Sequence, residues 1–202
     1  MAATIARPFW HFETAVIFCR DLAGPIEILK AEVELEMGLG SEEELMRAAE
    51  SLGRLGSGRR EFFRWRTRDG CVCFVARAGS TLVGYAWMRY RPGIDDGDLI
   101  ALREGEVYHF DGYMSDQWRG RRVHPALSSR LLRYDQEYGY TKAYTKVSVF
   151  NRKSQKTVRR IGFRPSGLVL RVRGSSRGSW PIVTLWGSSH PVTRLRREAR
   201  PA

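Results

Sequence analysis

Three side chains that can exchange protons lie close together in one short segment, at Glu106, His109 and Asp111. Carboxylates and imidazoles are the groups that most often take or give a proton in catalysis. His109 and Asp111 are two residues apart, so the alternation of a β-strand predicts that they share one face. A carboxylate beside an imidazole orients the ring and favours its charged form. The segment therefore offers three candidates for a general base.

A basic turn follows this segment and runs directly into a predicted helix. From Gln117 to His124 it reads Gln-Trp-Arg-Gly-Arg-Arg-Val-His, and the next residue, Pro125, suits the first turn of a helix. A helix start presents up to four unpaired N–H groups and about half a positive charge. Gly120 allows close approach of a ligand, and three arginines add charge-assisted donors: Arg119, Arg121 and Arg122. The pattern favours a site for phosphate groups.

The turn resembles the pyrophosphate-binding motif of the GNAT N-acetyltransferases, Gln/Arg-x-x-Gly-x-Gly/Ala, at Gln117 and Gly120. A second pattern of that family is Asn-x-x-Ala/Ser, followed after a short helix by a Gly-Phe pair. It is matched by Asn151, Ser154 and the pair at 162–163. The two motifs stand in the family's order, and the spacing between them suits a helix, a strand and a helix. Together they are far more specific than either motif alone.

The resemblance covers nearly the whole chain, because the family's order of elements fits from about Thr14 to Trp186. It implies one domain over residues 1–190, with a basic tail over 191–202. The implied fold is α/β, with a mixed, mostly antiparallel sheet of six to seven strands and about four helices. A V-shaped cleft for acyl-CoA would lie between two splayed parallel strands. Homodimers are common in the family, which makes a homodimer one expected assembly.

The implied reaction is direct transfer of an acyl group from acetyl-CoA, or another acyl-CoA, to an amine whose identity the sequence does not specify. No metal is expected. Backbone at the end of the first splayed strand would bond the pantetheine arm, and the turn would hold the pyrophosphate. Two further residues would lie near the pantetheine or the acceptor. The predicted ligand-binding residues are Met114, Ser115, Gln117, Arg119, Gly120, Arg121, Arg122, Val123, His124, Asn151 and Ser154.

The sequence departs from the family pattern at two positions. Arg122 stands where the family has its second Gly or Ala, so either the turn is less tight or Arg122 itself contacts a phosphate. Many members have a tyrosine seven residues after the asparagine, which protonates the leaving thiolate. That position is Val158 here. Tyr113 and Tyr144 are alternative candidates for the proton donor.

Acylation of an amine needs a base, because an amine with a pKa of about 10.4 is almost fully protonated near neutral pH. Glu106 lies thirteen residues before Arg119, an offset similar to that of the catalytic glutamate in the histone-acetyltransferase branch of the family. By this analogy Glu106 ranks first, Asp111 second and His109 third. Each of them is also consistent with a purely structural polar residue.

The remaining elements must hold these residues in place. Hydrophobic patterns predict strands at 14–20, 71–77, 82–90, 106–115, 143–150, 168–173 and 182–186. Helices are predicted from Gly24 to the break at 38–40, and at 41–52, 125–138 and 152–161. The helix at 125–138 joins two strands of one sheet, so these strands should be parallel and the crossover right-handed.

Composition favours a single cytoplasmic domain. The chain has 202 residues, of which 43% are hydrophobic, enough for a substantial core. It has neither a signal-peptide pattern nor an apolar run of the roughly 20 residues that a membrane helix needs. Cys19, Cys71 and Cys73 are too few and too unevenly spaced for a disulfide framework or a zinc site.

The net charge of +12, with 29 Arg against 5 Lys, attracts polyanions. Residues 59–68 alternate basic and aromatic side chains. If this segment is extended, Arg64, Arg66 and Arg68 project from one side and Phe63 and Trp65 from the other. Such interleaving suits single-stranded nucleic acid, although an amphipathic strand that packs its aromatics inward accounts for it better.

Three alternatives to a simple amine acetyltransferase therefore remain. The first is a non-enzymatic, basic RNA-binding protein. The second is an acyltransferase whose donor is an acyl carrier protein or whose acceptor is a tRNA or ribosomal component. The third is a CoA-binding sensor without activity, suggested by Arg122 and Val158.

Overall fold

The computed structural model describes residues 11–51, 58–94, 100–173 and 183–187. The strands are β1 (His11–Asp21), β2 (Glu36–Leu39), β3 (Val72–Ala78), β4 (Thr81–Arg89), β5 (Gly93–Ile94), β6 (Ala101–Leu102), β7 (Glu106–Met114), β8 (Lys142–Ser148), β9 (Arg164–Arg173) and β10 (Val183–Gly187). The helices are α1 (Glu42–Ser51), α2 (Gly58–Arg68), α3 (Val123–Glu137) and α4 (Arg152–Arg160), with a 3₁₀ turn at Asp116–Trp118.

Eight strands form the main sheet in the order β10-β9-β1-β8-β7-β4-β3-β2, and β5 and β6 form a small separate hairpin. Among the pairs in the described segments, only β7 and β8 are parallel. Helix α3 connects these two strands, which confirms the predicted crossover between parallel neighbours. The mixed, mostly antiparallel α/β fold is confirmed, and β2 adds one strand to the predicted number.

Helix α3 covers one face of the sheet because its apolar residues recur at helical spacing. Leu127, Leu131 and Leu132 are buried and pack with Phe18 and Val107 of the sheet. Burying one such side chain contributes about 1.5–3 kcal/mol. This packing fixes α3 against β7, which is the arrangement that positions the site.

Helices α1 and α2 lie on the opposite face. Phe63 of α2 is buried, and its ring meets Tyr85 and Trp87 of β4 edge to face, at centroid distances of 5.4 and 5.3 Å. Such aromatic pairs add about 0.5–1.5 kcal/mol each beyond their burial. The sheet is therefore covered on both faces at β4 and β7.

The helix predicted from Gly24 to the break at 38–40 does not form. Instead the segment is irregular, and side chains of α3 satisfy part of its backbone. Gln136 donates to the carbonyls of Leu22 and Gly24, and the N–H of Leu29 donates to Ser129 Oγ at 2.9 Å. The prediction was wrong because these tertiary bonds replace the internal ladder of a helix.

The extended form considered for residues 59–68 is also wrong, because this segment is helix α2. Helical spacing turns Phe63 and Arg66 inward and leaves Phe62 and Trp65 exposed, with their rings stacked at 6.1 Å. The basic tail predicted over 191–202 lies outside the described residues.

Candidate functional site

Strands β7 and β8 pair at one end only and separate at the other. Their parallel pairing runs from Glu106–Lys142 to His109–Thr145 and stops there. Strand β7 continues for five more residues to Met114, and β8 for three more to Ser148. On its β8 side this part of β7 has no partner strand among the described residues. Its backbone groups on that side are consequently available to a ligand.

A bulge in β7 marks the point of separation. Between the pairs Trp87–Phe110 and Tyr85–Tyr113, β7 has one residue more than β4. Asp111 lies in this bulge and has φ of 43°, in the left-handed region that residues other than glycine rarely adopt. A bulge bends its strand and increases the local twist. It therefore accounts for the departure of β7 from β8.

The fork between the two strands opens into a cavity of about 230 Å³ on the side of α3 and α4. His109 and Thr145, the last paired residues, lie at its apex. Five of the predicted site residues line this cavity: His109, Asp111, His124, Asn151 and Ser154. The structure thus brings together residues that are up to 45 positions apart in sequence.

The basic turn lies at the end of β7 and the start of α3, as the sequence predicts. Arg122 is the cap of α3 and contributes no side-chain cap bond, so the N–H groups of the first turn are not satisfied from within the helix. Gly120 has φ of 83°, and nothing lies within 4 Å of where its Cβ would be. Arg119 and Arg121 are exposed beside it. These features fit a diphosphate group.

Arg122 itself has φ of 57°, the left-handed conformation that a glycine at this position adopts without strain. The turn therefore keeps a left-handed cap in spite of the arginine. Two contacts hold the turn in place. The carbonyl of Arg121 accepts from the N–H of Glu32, and Arg119 Nη2 pairs with Asp116 Oδ1 at 2.9 Å. Gln117 is exposed in the 3₁₀ turn, and Val123 is buried in the core.

The backbone of Ser115 differs from the expectation for the pantetheine arm. Its N–H donates to the carbonyl of Val83 at 2.9 Å, and its own carbonyl accepts from Trp118. Only a second acceptor position on this carbonyl remains for a ligand. Met114 pairs with Gly84 of β4 but lies beyond the last β7–β8 pair, so it is the better placed of the two.

The second motif caps α4 and completes the cavity wall. Asn151 Oδ1 accepts from the N–H of Ser154 at 3.1 Å, which is an N-cap. Gly162 has φ of 89°, a conformation that favours glycine, and a Cβ there would also displace the guanidinium of Arg20. The next residue, Phe163, is buried and approaches the ring of His109 edge-on, at 6.3 Å and 70°. The Gly-Phe pair therefore packs against the apex of the fork.

His109 is bonded to a residue that the sequence did not single out. Its Nε2 lies 2.6 Å from Oδ2 of Asp135 on α3, and both side chains are buried. The hydroxyl of Tyr90 donates to the other oxygen, Asp135 Oδ1, at 2.8 Å. Burial first, and then the Asp135 carboxylate, raise the pKa of the Tyr90 hydroxyl, so Tyr90 keeps its proton.

Comparison with known families identifies the family that has this fork and this turn. The model of the acetyltransferase (GNAT) family matches residues 41–163, more than half of the chain. The chain belongs to the GNAT family. No curated protein matches it in sequence.

Solved GNAT structures share the fold. A GCN5-related N-acetyltransferase from Sphaerobacter thermophilus is 16% identical with a TM-score of 0.58, over 83% of this chain and 52% of that one. One from Kribbella flavida is 12% identical with a TM-score of 0.54, over 84% and 61%. A ribosomal-protein-alanine N-acetyltransferase from Brucella melitensis is 20% identical with a TM-score of 0.51, over 74% and 96%. The chain thus spans between half and two thirds of the first two proteins.

Within this GNAT fold, Asp111 does not share a face with His109. The bulge reverses the alternation of β7, so the Asp111 side chain turns toward α2 and forms an ion pair with Arg66 at 2.5 Å. The predicted pairing of His109 with Asp111 was therefore wrong. A left-handed non-glycine residue gives no sequence signal from which the reversal could have been foreseen.

Glu106 lies at the paired end of β7, three residues or about 10 Å from His109. It is buried and is not among the residues that line the cavity. Oε2 of Glu106 accepts from the N–H of Arg103 at 2.9 Å, and Oε1 accepts from Tyr144 at 3.3 Å. The carboxylate is thus engaged at the start of the strand. Its catalytic role remains a prediction by analogy.

The candidate proton donors are also placed by the fold. Burial raises the pKa of Tyr144, which makes it a weaker acid. Tyr113 stacks on Tyr85 at 5.4 Å and is not among the cavity-lining residues. Val158, at the family's usual tyrosine position, lines the cavity from α4.

Burial lowers the pKa of His124, so this imidazole is neutral near pH 7.

Sequence reasoning missed Asp135, Tyr90 and Arg66. A signal was available for Asp135, because it stands four residues after Leu131 and three after Leu132, on the buried stripe of α3. An acid in such a stripe indicates a buried partner.

Two findings concern the described segments alone. None of their helices has the length and hydrophobicity to cross a membrane. Nor do they contain a group of three His, Cys, Asp or Glu side chains placed to hold a metal ion. Cys71 and Cys73 are buried, and no disulfide joins any of the three cysteines.

Proposed function

We propose that the protein is an N-acyltransferase that moves an acyl group, most simply acetyl, directly from acyl-CoA to an amine. One observation carries the proposal. The fork between β7 and β8 opens at His109–Thr145, and its cavity reaches His124 at the start of α3, where no side chain caps the helix and the preceding arginines are exposed. A thioester with a long arm and a diphosphate fits this combination.

In this proposal the pantetheine arm binds along the β8 side of β7, between the last β7–β8 pair and Met114, as an added strand would. The N–H groups of the turn from Arg119 to His124 hold the diphosphate, with the arginine side chains adding charge. Gln117 supports this turn, and Ser115 contributes through its carbonyl. Asn151 and Ser154 lie beside the arm in the cavity wall. The thioester then lies near the apex, where the proton-accepting group must be.

A pair of glycine variants tests the diphosphate site. Gly120 and Gly139 flank the two ends of α3, with φ of 83° and 84°, and neither has a neighbour within 4 Å of its Cβ position. Aspartate tolerates this conformation better than most residues. Gly120→Asp places a like charge at the phosphates and should weaken acetyl-CoA binding at least about tenfold, or about 1.4 kcal/mol. Gly139→Asp is the matched control and should change it less than about twofold.

Binding is measured by calorimetry and by thermal shift at near-physiological ionic strength. At 100 times its Kd, acetyl-CoA should stabilise the wild-type protein by about 2.7 kcal/mol. Transfer is then followed by mass spectrometry with a panel of amines. No binding by the wild type, or equal binding by the two glycine variants, would refute the proposal.

One observation supports the alternative that the protein binds RNA and is not an enzyme. Helix α2 exposes the stacked rings of Phe62 and Trp65, with exposed Arg64 and Arg68 beside them. Stacked aromatics with arginines can hold the bases and phosphates of a single strand. RNA binding with no response to any acyl-CoA would favour this alternative over the enzyme.

A further inference from the structure

We infer that His109 takes the proton of the acceptor amine through Nδ1, and that Asp135 and Tyr90 are positioning residues that hold His109 in the required form. The inference rests on the proposed function and assigns its proton acceptor. It also changes the order of the candidates, since Glu106 ranks first by analogy.

The location of His109 is the first argument. It is the last residue of β7 that pairs with β8, and it lines the cavity where the two strands separate. Glu106 is engaged at the closed end of the strand, and Asp111 pairs with Arg66. Of the three acid–base candidates, His109 therefore combines a place at the apex with a nitrogen that its known partner does not occupy.

The hydrogen-bond partners of Asp135 favour one tautomer of His109. Asp135 has no exposed surface, and its two oxygens contact His109 Nε2 and the Tyr90 hydroxyl. Tyr90 donates its proton to Oδ1, and an ionised carboxylate can only accept. In the assignment we infer, Asp135 is the acceptor in both hydrogen bonds, so His109 carries its hydrogen on Nε2 and keeps the lone pair on Nδ1. The carboxylate also stabilises the imidazolium that forms when Nδ1 takes a proton.

The cost of this arrangement is the second argument. A carboxylate on the same stripe of α3 as Leu131 and Leu132 loses its hydration, which is unfavourable unless hydrogen-bond partners replace the water. A neutral side chain there would pack without this cost. What the carboxylate adds is a fixed orientation and tautomer for a ring in the cavity wall. Phe163 packs against that ring edge-on and restricts its rotation further.

The proton balance of the step is complete. The ammonium group of the acceptor gives one proton to Nδ1, and the neutral nitrogen forms a bond to the thioester carbon. The carbon–sulfur bond breaks, and CoA leaves as the thiolate. The second proton from nitrogen passes to the thiolate, which gives CoA–SH. The imidazolium returns its proton to solvent, so the net products are the amide, CoA–SH and one proton.

The tautomer is tested first, on the wild-type protein without any substrate. Nitrogen-15 NMR of the four histidines, with His109 assigned from the spectrum of His109→Gln, distinguishes a ring protonated at Nε2 from one protonated at Nδ1. The inference requires the Nε2–H form of the neutral ring. The Nδ1–H form would overturn it. This readout does not depend on identifying the acceptor.

Kinetics provide the second test. We expect His109→Gln and Asp135→Asn each to lower kcat by about 10²-fold or more, the scale of a lost general base, with acyl-CoA Kd changed less than about twofold. Tyr90→Phe keeps the ring stacked on Tyr140 and should lower kcat less. The control is Asp69→Asn, which removes an acid that pairs with Arg91 on the surface and should leave kcat unchanged.

The outcomes separate the two proposals. A wild-type protein that does not bind acyl-CoA refutes the proposed function and this inference with it. A wild-type enzyme that transfers acyl groups, together with an unchanged kcat in His109→Gln, refutes only the inference. A parallel loss of kcat and of acyl-CoA affinity in Asp135→Asn indicates a merely structural role and also counts against it. If Asp135→Asn does not fold, the His109→Gln kinetics and the wild-type tautomer still decide.

Discussion

The ion pair between Arg66 and Asp111 ties helix α2 to the bulge that opens the fork. We predict that Arg66→Met lowers the free energy of unfolding by about 2–3 kcal/mol and weakens acyl-CoA binding. Methionine keeps most of the apolar stem of the arginine, so the change removes chiefly the charge. The two effects have separate physical causes, and both follow from the contacts of these residues.

The loss of stability follows from charge and stacking. Two unit charges about 4 Å apart attract by about 4 kcal/mol at an effective dielectric constant of 20. The Arg66 side chain is 8% exposed but that of Asp111 is 33% exposed, so water recovers part of this energy when the arginine is lost. The guanidinium also lies over the ring of Phe62 at 3.9 Å and that of Phe110 at 4.8 Å. Each such contact adds about 0.5–1 kcal/mol or more.

The effect on binding follows from the backbone of Asp111. Its left-handed conformation costs about 1–2 kcal/mol and persists because the surrounding contacts hold it. Without Arg66, β7 can relax toward a regular strand, and the fork narrows. We therefore expect the Kd of acetyl-CoA to rise about three- to tenfold in Arg66→Met.

The assay is a double-mutant cycle of Arg66→Met and Asp111→Asn, measured by urea unfolding and by acetyl-CoA calorimetry. The coupling energy should be about 1–2 kcal/mol. Arg77→Met is the matched control, because Arg77 pairs with Glu44 on α1 at 2.5 Å and donates to the carbonyl of Leu39 in β2. It should cost stability without changing the Kd. A coupling below about 0.5 kcal/mol, or equal Kd changes in Arg66→Met and Arg77→Met, would refute the reasoning.

Three further predictions concern residues of the cleft. Arg122→Gly relieves a left-handed arginine and should raise the free energy of unfolding by up to about 1 kcal/mol in urea, and a loss would contradict the strain. Val158→Tyr should raise kcat if thiolate protonation limits the rate, and Val158→Phe, which adds the ring without the hydroxyl, should not. Burial lowers the pKa of His124 in the folded state. The neutral imidazole therefore contributes its full stabilisation above about pH 6.5, and this stabilisation is lost as the pH falls from there toward the lower folded-state pKa. Unfolding of His124→Asn across pH 5–8 should show a weaker acid dependence than the wild type, and identical pH curves would exclude His124 as the cause.

The elements that build the fork were predictable because local and tertiary signals agree there. The apolar alternation of β7 and β8 and the leucine stripe of α3 are the patterns of half-buried elements, and all three occur within two residues of their predicted bounds. Gly162 and Asn151 were predictable for a similar reason. Gly162 is required by its backbone conformation, and Asn151 is required as the cap of α4. Both requirements are local.

What the sequence did not reveal depends on contacts between distant segments. The irregular segment around Leu22–Leu29 has a helical pattern, but side chains of α3, 100 or more residues later in the chain, satisfy part of its backbone. The side chain of Asp111 at the bulge pairs with Arg66, 45 residues earlier. The partner of His109 is Asp135, which becomes its neighbour only once α3 packs on β7. Each miss is a case in which tertiary structure overrides the local pattern.

Helix α3 connects the two ends of the site. It begins at the basic turn and carries Asp135 twelve residues after Val123, a distance of about 18 Å along its axis. On the proposed assignments, a single rigid element places both the diphosphate site and the carboxylate that orients His109. The leucines between them, Leu127 and Leu131, are buried against the sheet, so neither end can shift without disturbing the core. The spacing between phosphate binding and proton transfer is therefore set by the packing of one helix rather than by flexible loops.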